Sequence, residues 1–449
     1  MRKPGNIVET ARIAWPLALA MMAGAMNHVC DRLFLAHSGD AALQAVLPAE
    51  MLVNMFVGFF TVTIGYSATF VAQCHGGGKH ASAVRSFAQG LWLTLFSLPL
   101  FALIVPAGNF IITLAGHTAE IQAAERSYLA IAAPGGVLSV LNAVLAGLLT
   151  GQGRTRYAGF CTVAGCLLNL ALDPLLIFGF GPFTGHGIAG AAVATILSFA
   201  LTTVLLASAA FRDPLVREQG VTAFRFNAPR SLDILRFGSP AGLCAIVSTF
   251  SFMVFTMSVG KFDGLSFAAS NTVFAVNNVF FLATVAISQG VTILAGRYQG
   301  AGDLAVAQRT FRSGLFLTGI LLAVCFSATL PNAGFIMDLF RGSDSSFDPA
   351  AYRHIGYILF TIMLFREIAE GAALIAAGAL KGVGDTKHVM LVQITVDLLV
   401  RLPLIFLTAA FSSSIIPLWL TMPLTLGFTA TLLIRRWRSD LWRTIHLTD

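Results

Sequence analysis

Four acidic residues lie inside stretches of sequence that are otherwise apolar. Asp31 and Asp173 belong to the first half of the chain, and Glu367 and Glu370 belong to the second half. An ionised carboxylate is costly at membrane depth, so such residues usually face a cavity and bind cations or carry protons. Their distribution over two halves of one chain indicates an ion-coupled transporter rather than a channel pore or a soluble enzyme.

The first half offers a set of oxygen ligands. Asn169 precedes Asp173 by four residues, so the two side chains share one face of a helix. They provide hard oxygen ligands for a small cation, or a proton site with a hydrogen-bond partner. Asp31 would add a second carboxylate, and two close carboxylates in low dielectric resist double ionisation. We therefore expect the pair to carry a proton near neutral pH; the alternative is that Asp173 caps a helix broken at Pro174.

Several polar residues surround these carboxylates in the sequence. His28 precedes Asp31 by three residues and either joins its network or packs as a neutral histidine between helices. Arg32 either pairs with Asp31 or extends towards the interface. Glu50 and Asn54 share a helix face and are candidates to line a cavity, although Glu50 also fits a position near the outer interface.

The charged residues of the second half are spaced for pairing within helices. Arg366 and Glu370, and likewise Asp397 and Arg401, are four residues apart, which favours internal salt bridges. Glu367 is then left as an unpaired acid. One interpretation is a second proton or substrate site; the other is a structural ion-pair cluster between helices 10 and 11, and both remain open.

Composition sets the fold class. The 449 residues are 56% hydrophobic and 11% charged, with a mean hydropathy of +0.80, whereas soluble proteins carry roughly 25% charged residues. Apolar runs long enough to cross a bilayer recur throughout, and strand-type alternation does not. The net charge of +7 is attributed to membrane orientation rather than to nucleic-acid binding.

Twelve spans are predicted near residues 13–36, 43–72, 88–114, 128–150, 158–180, 188–211, 234–260, 267–295, 314–341, 354–380, 389–411 and 416–434.

The connections between these spans and an internal repeat predict the topology. Most arginines and lysines fall on one side of the predicted membrane, which places both termini in the cytoplasm. Residues 76–90 match 300–314, and 146–155 match 377–386, so the halves are parallel repeats. We predict an all-α polytopic membrane protein with twelve transmembrane helices in two six-helix lobes, related by pseudo-two-fold symmetry along the membrane normal. The predicted parts are an N-lobe at 1–211, a cytoplasmic linker at 212–233 and a C-lobe at 234–449.

Five motifs carry a family resemblance over almost the whole chain. They are Pro16 followed by Asp31 and GDAALQAV (39–46), NLALDPLLIFGFG (169–181), GAAVAT (190–195), GAGD (300–303) and AAGALKGVGDTK (376–387). At these motifs the chain resembles the multidrug and toxic compound extrusion (MATE) family, and the 169–181 motif is similar to the DinF-like branch. The resemblance implies a twelve-helix antiporter that exchanges H⁺ or Na⁺ for organic, often cationic, compounds. It also implies a cation site formed by Asp31, Asn169, Asp173 and Thr195.

The chain departs from the family pattern at one position. Another branch carries an acidic residue on helix 7, where this chain has Ser248, while the acidic position on helix 10 matches Glu370. The ligand set of the N-lobe is therefore complete, and that of the C-lobe lacks one acid.

The resulting expectation is secondary active export of organic, cationic or amphipathic compounds in exchange for H⁺ or Na⁺ by alternating access. We expect a monomer in the bacterial inner membrane, surrounded by lipid, with a small organic substrate, no nucleic-acid partner and no cofactor. No metal is expected beyond Na⁺ at Asp31, Asn169 and Asp173. A lipid-linked saccharide flippase is the nearest alternative, but it would carry more helices and a cationic cavity. A membrane-embedded transferase would need a motif such as DxxxD or HExxH, which no predicted span contains, so we do not expect an enzyme.

Overall fold

The computed structural model describes residues 4–38, 40–180, 183–341, 348–445 and 447. In the first half, the helices are α1 (Ile7–Ser38), α2 (Asp40–Gly65), α3 (Ser67–Gly76), α4 (His80–Ala115), α5 (Ala119–Gly151), α6 (Thr155–Phe178), α7 (Gly187–Phe211) and α8 (Pro214–Gln219). Between α6 and α7, the two-residue strands β1 (Gly179–Phe180) and β2 (Phe183–Thr184) pair antiparallel. A short 3₁₀ turn (Val221–Phe224) follows α8.

The second half continues in the same helical pattern. Its helices are α9 (Ala228–Val259), α10 (Gly264–Gly300), α11 (Leu304–Thr329), α12 (Ala333–Phe340), α13 (Pro349–Gly382), α14 (Thr386–Val396), α15 (Leu402–Phe411) and α16 (Ile415–Arg438). A π-helical turn, Asp397–Arg401, joins α14 to α15 without a break, and a 3₁₀ turn (Leu441–Thr444) follows α16.

The described helices confirm the all-α class. Eleven helical stretches of the described residues are long and apolar enough to cross a membrane. The remaining predicted span is α13, a helix of 34 residues that carries Arg366, Glu367 and Glu370 near its middle. The predicted ninth span, 314–341, is wrong at its end. α11 stops at Thr329 and α12 is a separate helix, because Pro331 has no backbone N–H with which to continue the helical hydrogen bonds.

The chain divides into two compact units, and both divisions fall inside a helix. α1 is divided after Ala18 and α9 after Leu243, shortly beyond Pro16 and Pro240. Each of these prolines removes one hydrogen bond from its helix. The lobe boundaries predicted from the sequence at 211 and 234 stay a prediction. The first unit contains Met1–Ala18 and Cys244–His446, and the second contains Leu19–Leu243 and Leu447–Asp449.

The internal sequence repeat corresponds to four tight turns of one kind. Gly78, Gly153, Gly302 and Gly384 all adopt positive φ, between 70° and 96°. In each turn the glycine N–H donates to a carbonyl three residues back, and the next N–H donates to one five residues back. This hydrogen-bond pattern ends a helix through a left-handed residue, where glycine has no Cβ to clash. The repeated glycines are therefore required by the backbone, and they start α4, α6, α11 and α14 in the same way.

Close packing of α6 against α7 positions the acidic residue of α6. A Cβ atom built on Gly190 of α7 would lie 2.2 Å from the carbonyl oxygen of Leu176, which is backbone and cannot rotate away. One built on Gly165 of α6 would lie 2.0 Å from the Thr202 hydroxyl and 3.0 Å from the Ser198 carbonyl oxygen. α6 and α7 therefore approach each other closely at Gly165 and at Leu176, which precede and follow Asp173 along α6.

We expect Gly190→Ala to lower the thermal unfolding midpoint of the purified protein by several degrees, because the helices must separate to admit the methyl group. Gly58→Ala is the matched control: no atom lies within 4 Å of a Cβ built there, and alanine favours a helix interior by about 0.5–1 kcal/mol over glycine. Intrinsic tryptophan fluorescence during heating in detergent measures both. Equal midpoints for the two variants would contradict the packing argument.

Candidate functional site

A polar cavity of about 320 Å³ lies inside the second unit. It is formed by α1, α2, α5, α6 and α7, so residues far apart in the sequence meet at one place. Of the residues predicted for a cation site, three line this cavity and Asp173 is fully buried next to it. The predicted residues on its wall are His28, Asp31, Glu50, Asn54, Asn169 and Thr195.

The carboxylates of α1 and α6 meet at the wall of this cavity. Asp31 is 6% exposed and Asp173 is 0% exposed. The two side chains are close enough that a proton on one carboxyl group would form a hydrogen bond to the other. Asp31 Oδ1 and Asp173 Oδ2 are both buried without a hydrogen-bond partner. A buried oxygen without a donor is costly, so this pair is arranged to accept a proton or a cation.

The amide of Asn169 orients the inner carboxylate. Asn169 Nδ2 donates to Asp173 Oδ1 over 3.2 Å, which fixes one oxygen and leaves the other for a ligand. Since α6 runs unbroken through Pro174 to Phe178, Asp173 does not cap a helix end. The Thr195 hydroxyl donates to the Ala191 carbonyl over 3.0 Å, so only its oxygen lone pairs remain for a cation.

A second charged group lies beside Asp31 in the same cavity. His28 Nδ1 is 3.5 Å from Glu50 Oε1, and Arg32 Nη2 is 3.4 Å from Glu50 Oε2. Arg32 thus pairs with Glu50, not with its sequence neighbour Asp31. The imidazole of His28 is 54% exposed and lines the cavity, so it reaches the polar network around Glu50. Glu50 and Asn54 both line the cavity, as their shared helix face predicted.

The first unit contains a larger cavity of about 630 Å³ that is lined by charged side chains. Arg366 forms ion pairs of 2.5 Å with Glu367 Oε1 and with Glu370 Oε2. The expectation that Glu367 is unpaired is therefore wrong, because one guanidinium fork reaches both carboxylates of α13. The other oxygen of Glu367 is buried without a hydrogen-bond partner, in a residue that is 0% exposed.

The second pair of this cavity comes from the π-helical turn. Arg401 Nη1 is 2.7 Å from Asp397 Oδ1, as their spacing predicted. Ser248 donates to Asp397 Oδ2 over 3.1 Å, and Arg401 Nε donates to the Thr425 hydroxyl over 3.0 Å. Ser248, found where the family branch has an acid, thus acts as a hydrogen-bond donor to an acid on another helix.

The charges of this cavity do not balance when all are ionised. With Glu367, which is fully buried beside the cavity, three carboxylates face two guanidinium groups, and each set of ion pairs lies within its own helical segment rather than between helices. One carboxylate is in excess, so a proton or a cationic ligand is needed to neutralise the cluster. This geometry is compatible with a second ion or substrate site and with a structural cluster.

Polar residues in and beside these cavities were missed from the sequence, and three of them contribute to the geometry described above. Tyr128 lines the cavity of the second unit, and Thr425 holds Arg401 in the first. Both residue types are common in helix interiors, so no sequence signal marks them. Asn277 lines the first-unit cavity with a buried carbonyl oxygen that has no partner. The adjacent amides Asn277 and Asn278 in an apolar helix were a usable signal for it.

Long apolar helices that surround buried, charged cavities define a multi-pass membrane transporter. The sequence profile of the MatE family matches residues 16–175 and 240–407, which covers both halves. The chain belongs to the MatE family, and it is a transporter rather than an enzyme.

Similar proteins agree with this assignment. A probable multidrug resistance protein NorM of Rhizobium meliloti is 27% identical over 397 residues, covering 85% of this chain and 82% of the relative. A protein of the same description from Thermotoga maritima is 25% identical over 447 residues, covering 97% of this chain and 92% of the relative. Among solved structures, the crystal structure of MATE in complex with MaL6 has a TM-score of 0.87 at 18% identity, covering 98% of both chains. At that identity, the structural likeness shows the shared fold.

The ion-pair geometry predicts that Arg366→Gln is strongly destabilising. Removing one partner of a buried pair strands the other charge and costs ~3–5 kcal/mol. The double variant Arg366→Gln/Glu367→Gln should recover part of the loss, because it removes one stranded carboxylate. Arg353→Gln on the same helix is the control; its pair with Asp338 is exposed, so its loss should change little. Thermal unfolding midpoints measure all three, and a double variant no more stable than Arg366→Gln would contradict the assignment.

Proposed function

We propose that the protein is a secondary active antiporter that exports organic, cationic or amphipathic compounds in exchange for H⁺ or Na⁺. The observation that carries this proposal is the close approach of the Asp31 and Asp173 carboxyl groups, each with one buried oxygen that lacks a hydrogen-bond partner. Among the described residues, neither carboxylate forms a salt bridge with an arginine or lysine, so a proton or a cation from solution is well placed to neutralise the pair.

The same oxygens suit either coupling ion. A proton would join Asp31 to Asp173 through one hydrogen bond. Na⁺ would take oxygens from both carboxylates, the amide oxygen of Asn169 and the hydroxyl of Thr195, which are the hard ligands that it prefers. In both cases the repulsion between the carboxylates of α1 and α6 is removed. Ion binding would therefore change the geometry of α1 and favour release of a substrate from the cavity, as alternating access requires.

The substrate class rests on the lining of the cavities and on the names of relatives. The Rhizobium meliloti and Thermotoga maritima proteins are described as probable multidrug resistance proteins. We extend multidrug export to this chain because its cavities combine acidic groups with aromatic and apolar walls, a lining that favours amphipathic cations. Basic connections on one side of the predicted membrane support cytoplasmic termini in a bacterial inner membrane, and we propose a monomer in lipid.

Replacing either central carboxylate should abolish ion-driven exchange. We expect Asp31→Asn and Asp173→Asn each to lose export while remaining folded, because each amide keeps the shape but cannot bind the coupling charge. The double variant should be little worse than either single variant, since residues that act as one unit are non-additive. Dye efflux from proteoliposomes per folded protein measures the effect. Wild-type rates in both single variants would refute the site.

Glu370→Gln should reduce coupling less than Asp173→Asn does. Glu370 shares the guanidinium of Arg366 with Glu367, whereas Asp173 has only Asn169 as a neutral donor. Both variants are compared in the same liposomes under imposed pH and Na⁺ gradients, applied separately, which also identifies the coupling ion. An inactive Glu370→Gln together with an active Asp173→Asn would move the ion pathway to the first unit.

A further inference from the structure

Three potential metal ligands of different chemistry converge on the cavity of the second unit. His28 and Asp31 lie three residues apart on one face of α1, and Glu50 faces them from α2. One ligand atom from each, an imidazole nitrogen and two carboxylate oxygens, lies within 4.8 Å of the other two. All three side chains line the cavity of about 320 Å³, so a bound ion would keep an open coordination position towards it.

The spacing of these atoms is close to that of a bound zinc ion. Tetrahedral Zn²⁺ holds N and O ligands at about 2.0–2.2 Å, which places neighbouring ligand atoms roughly 3.3–3.6 Å apart. His28 Nδ1 and Glu50 Oε1 are already 3.5 Å apart. A carboxylate oxygen of Asp31 lies within 4.8 Å of a ligand atom of each of the other two residues, so it has to move closer to complete the set. The ligand set is therefore partly formed before an ion binds.

Two further observations point to a ligand rather than to a closed polar cluster. The Asp31 side chain lines the cavity and is only 6% exposed, and its buried Oδ1 has no hydrogen-bond partner. Arg32 contacts Glu50 through Oε2, which leaves Oε1 on the side of His28. Arg32 can thus remain on its oxygen as an outer partner while Oε1 binds a metal, and outer partners of this kind orient metal-binding carboxylates.

We propose that His28, Asp31 and Glu50 bind a divalent transition-metal ion of the zinc type, and that the bound ion excludes the coupling cation from Asp31. A mixed nitrogen and oxygen set selects zinc, cobalt or nickel over Mg²⁺ and Ca²⁺, which prefer oxygen alone. The site is distinct from the predicted Na⁺ ligands, with which it shares only Asp31. The exclusion of the coupling cation rests on the proposed function, whereas metal binding does not.

Metal binding is tested on the purified full-length protein after treatment with a chelator and desalting. Co²⁺ is added and its visible absorption is recorded, because intense d–d bands report a coordination number below six; Zn²⁺ is then used to displace it. We expect one Co²⁺ per chain and displacement by one Zn²⁺. His28→Ala should weaken binding by more than about tenfold, since losing even an outer partner of a metal ligand costs about 10–100-fold.

Two variants separate ligation from general effects on α1. His37→Ala removes an exposed histidine of the same helix, whose ring hydrogen-bonds the Leu33 carbonyl of its own helix, and it should bind Co²⁺ as the wild type does. His28→Cys should restore tight Zn²⁺ binding, because thiolate is also a zinc ligand. Equal affinities for His28→Ala and His37→Ala, or no rescue by His28→Cys in a protein that unfolds at the wild-type temperature, would overturn the metal site.

The exclusion step is tested by dye efflux in proteoliposomes with and without Zn²⁺ at a concentration that saturates binding. We expect Zn²⁺ to inhibit the wild type and His37→Ala. Stoichiometric metal binding with undiminished efflux would overturn the exclusion while leaving the metal site intact. Absence of ion-driven efflux without Zn²⁺ would instead count against the proposed antiport, and the Co²⁺ titration would still decide the metal site.

Discussion

The cost of holding a carboxylate away from water shapes both units of this protein. Each buried acid needs a partner charge, a proton or a cation, because an isolated ion in low dielectric is too unfavourable to persist. In the first unit, arginines of the same stretch of helix supply much of that charge, through Arg366 and Arg401. In the second unit, Asp31 and Asp173 have no such pair among the described residues. This asymmetry is why we propose the coupling-ion site at Asp31 and Asp173, although the acids of the first unit also exceed its two arginines by one carboxylate.

This constraint also explains why the acids lie on different helices. Asp31 is on α1 and Asp173 is on α6, so the charge state of the pair acts as an attraction or a repulsion between two helices. Of the two helices, α6 is held more firmly, because it packs tightly against α7 at Gly165 and Gly190. The helix α1 is weaker, because Pro16 removes one of its backbone hydrogen bonds. A change of charge is therefore expected to move α1 rather than α6.

The features that could be predicted from the sequence depend on residues that are near one another in the chain. They are the lengths of the spans, the repeated glycine turns and the shared helix face of Asn169 and Asp173. The partners of Arg32 and Ser248 could not be predicted in this way, because Glu50 and Asp397 come from other helices and are selected by tertiary packing. The pairing of Arg366 with both Glu367 and Glu370 was missed for another reason. Spacing rules consider one partner per side chain, whereas a guanidinium fork can serve two.

The neighbouring charges determine which ion can use Asp31. While Arg32 balances Glu50, the unbalanced negative charge of the cavity is concentrated on Asp31 and Asp173, and one monovalent ion or proton relieves their repulsion. A divalent transition-metal ion differs because it also takes a nitrogen ligand, and the imidazole of His28 lies beside Glu50 Oε1. A monovalent coupling ion would bind between Asp31 and Asp173, and a transition metal would bind between Asp31, His28 and Glu50. Because Asp31 cannot ligate both ions at once, we expect the two ions to compete for this residue.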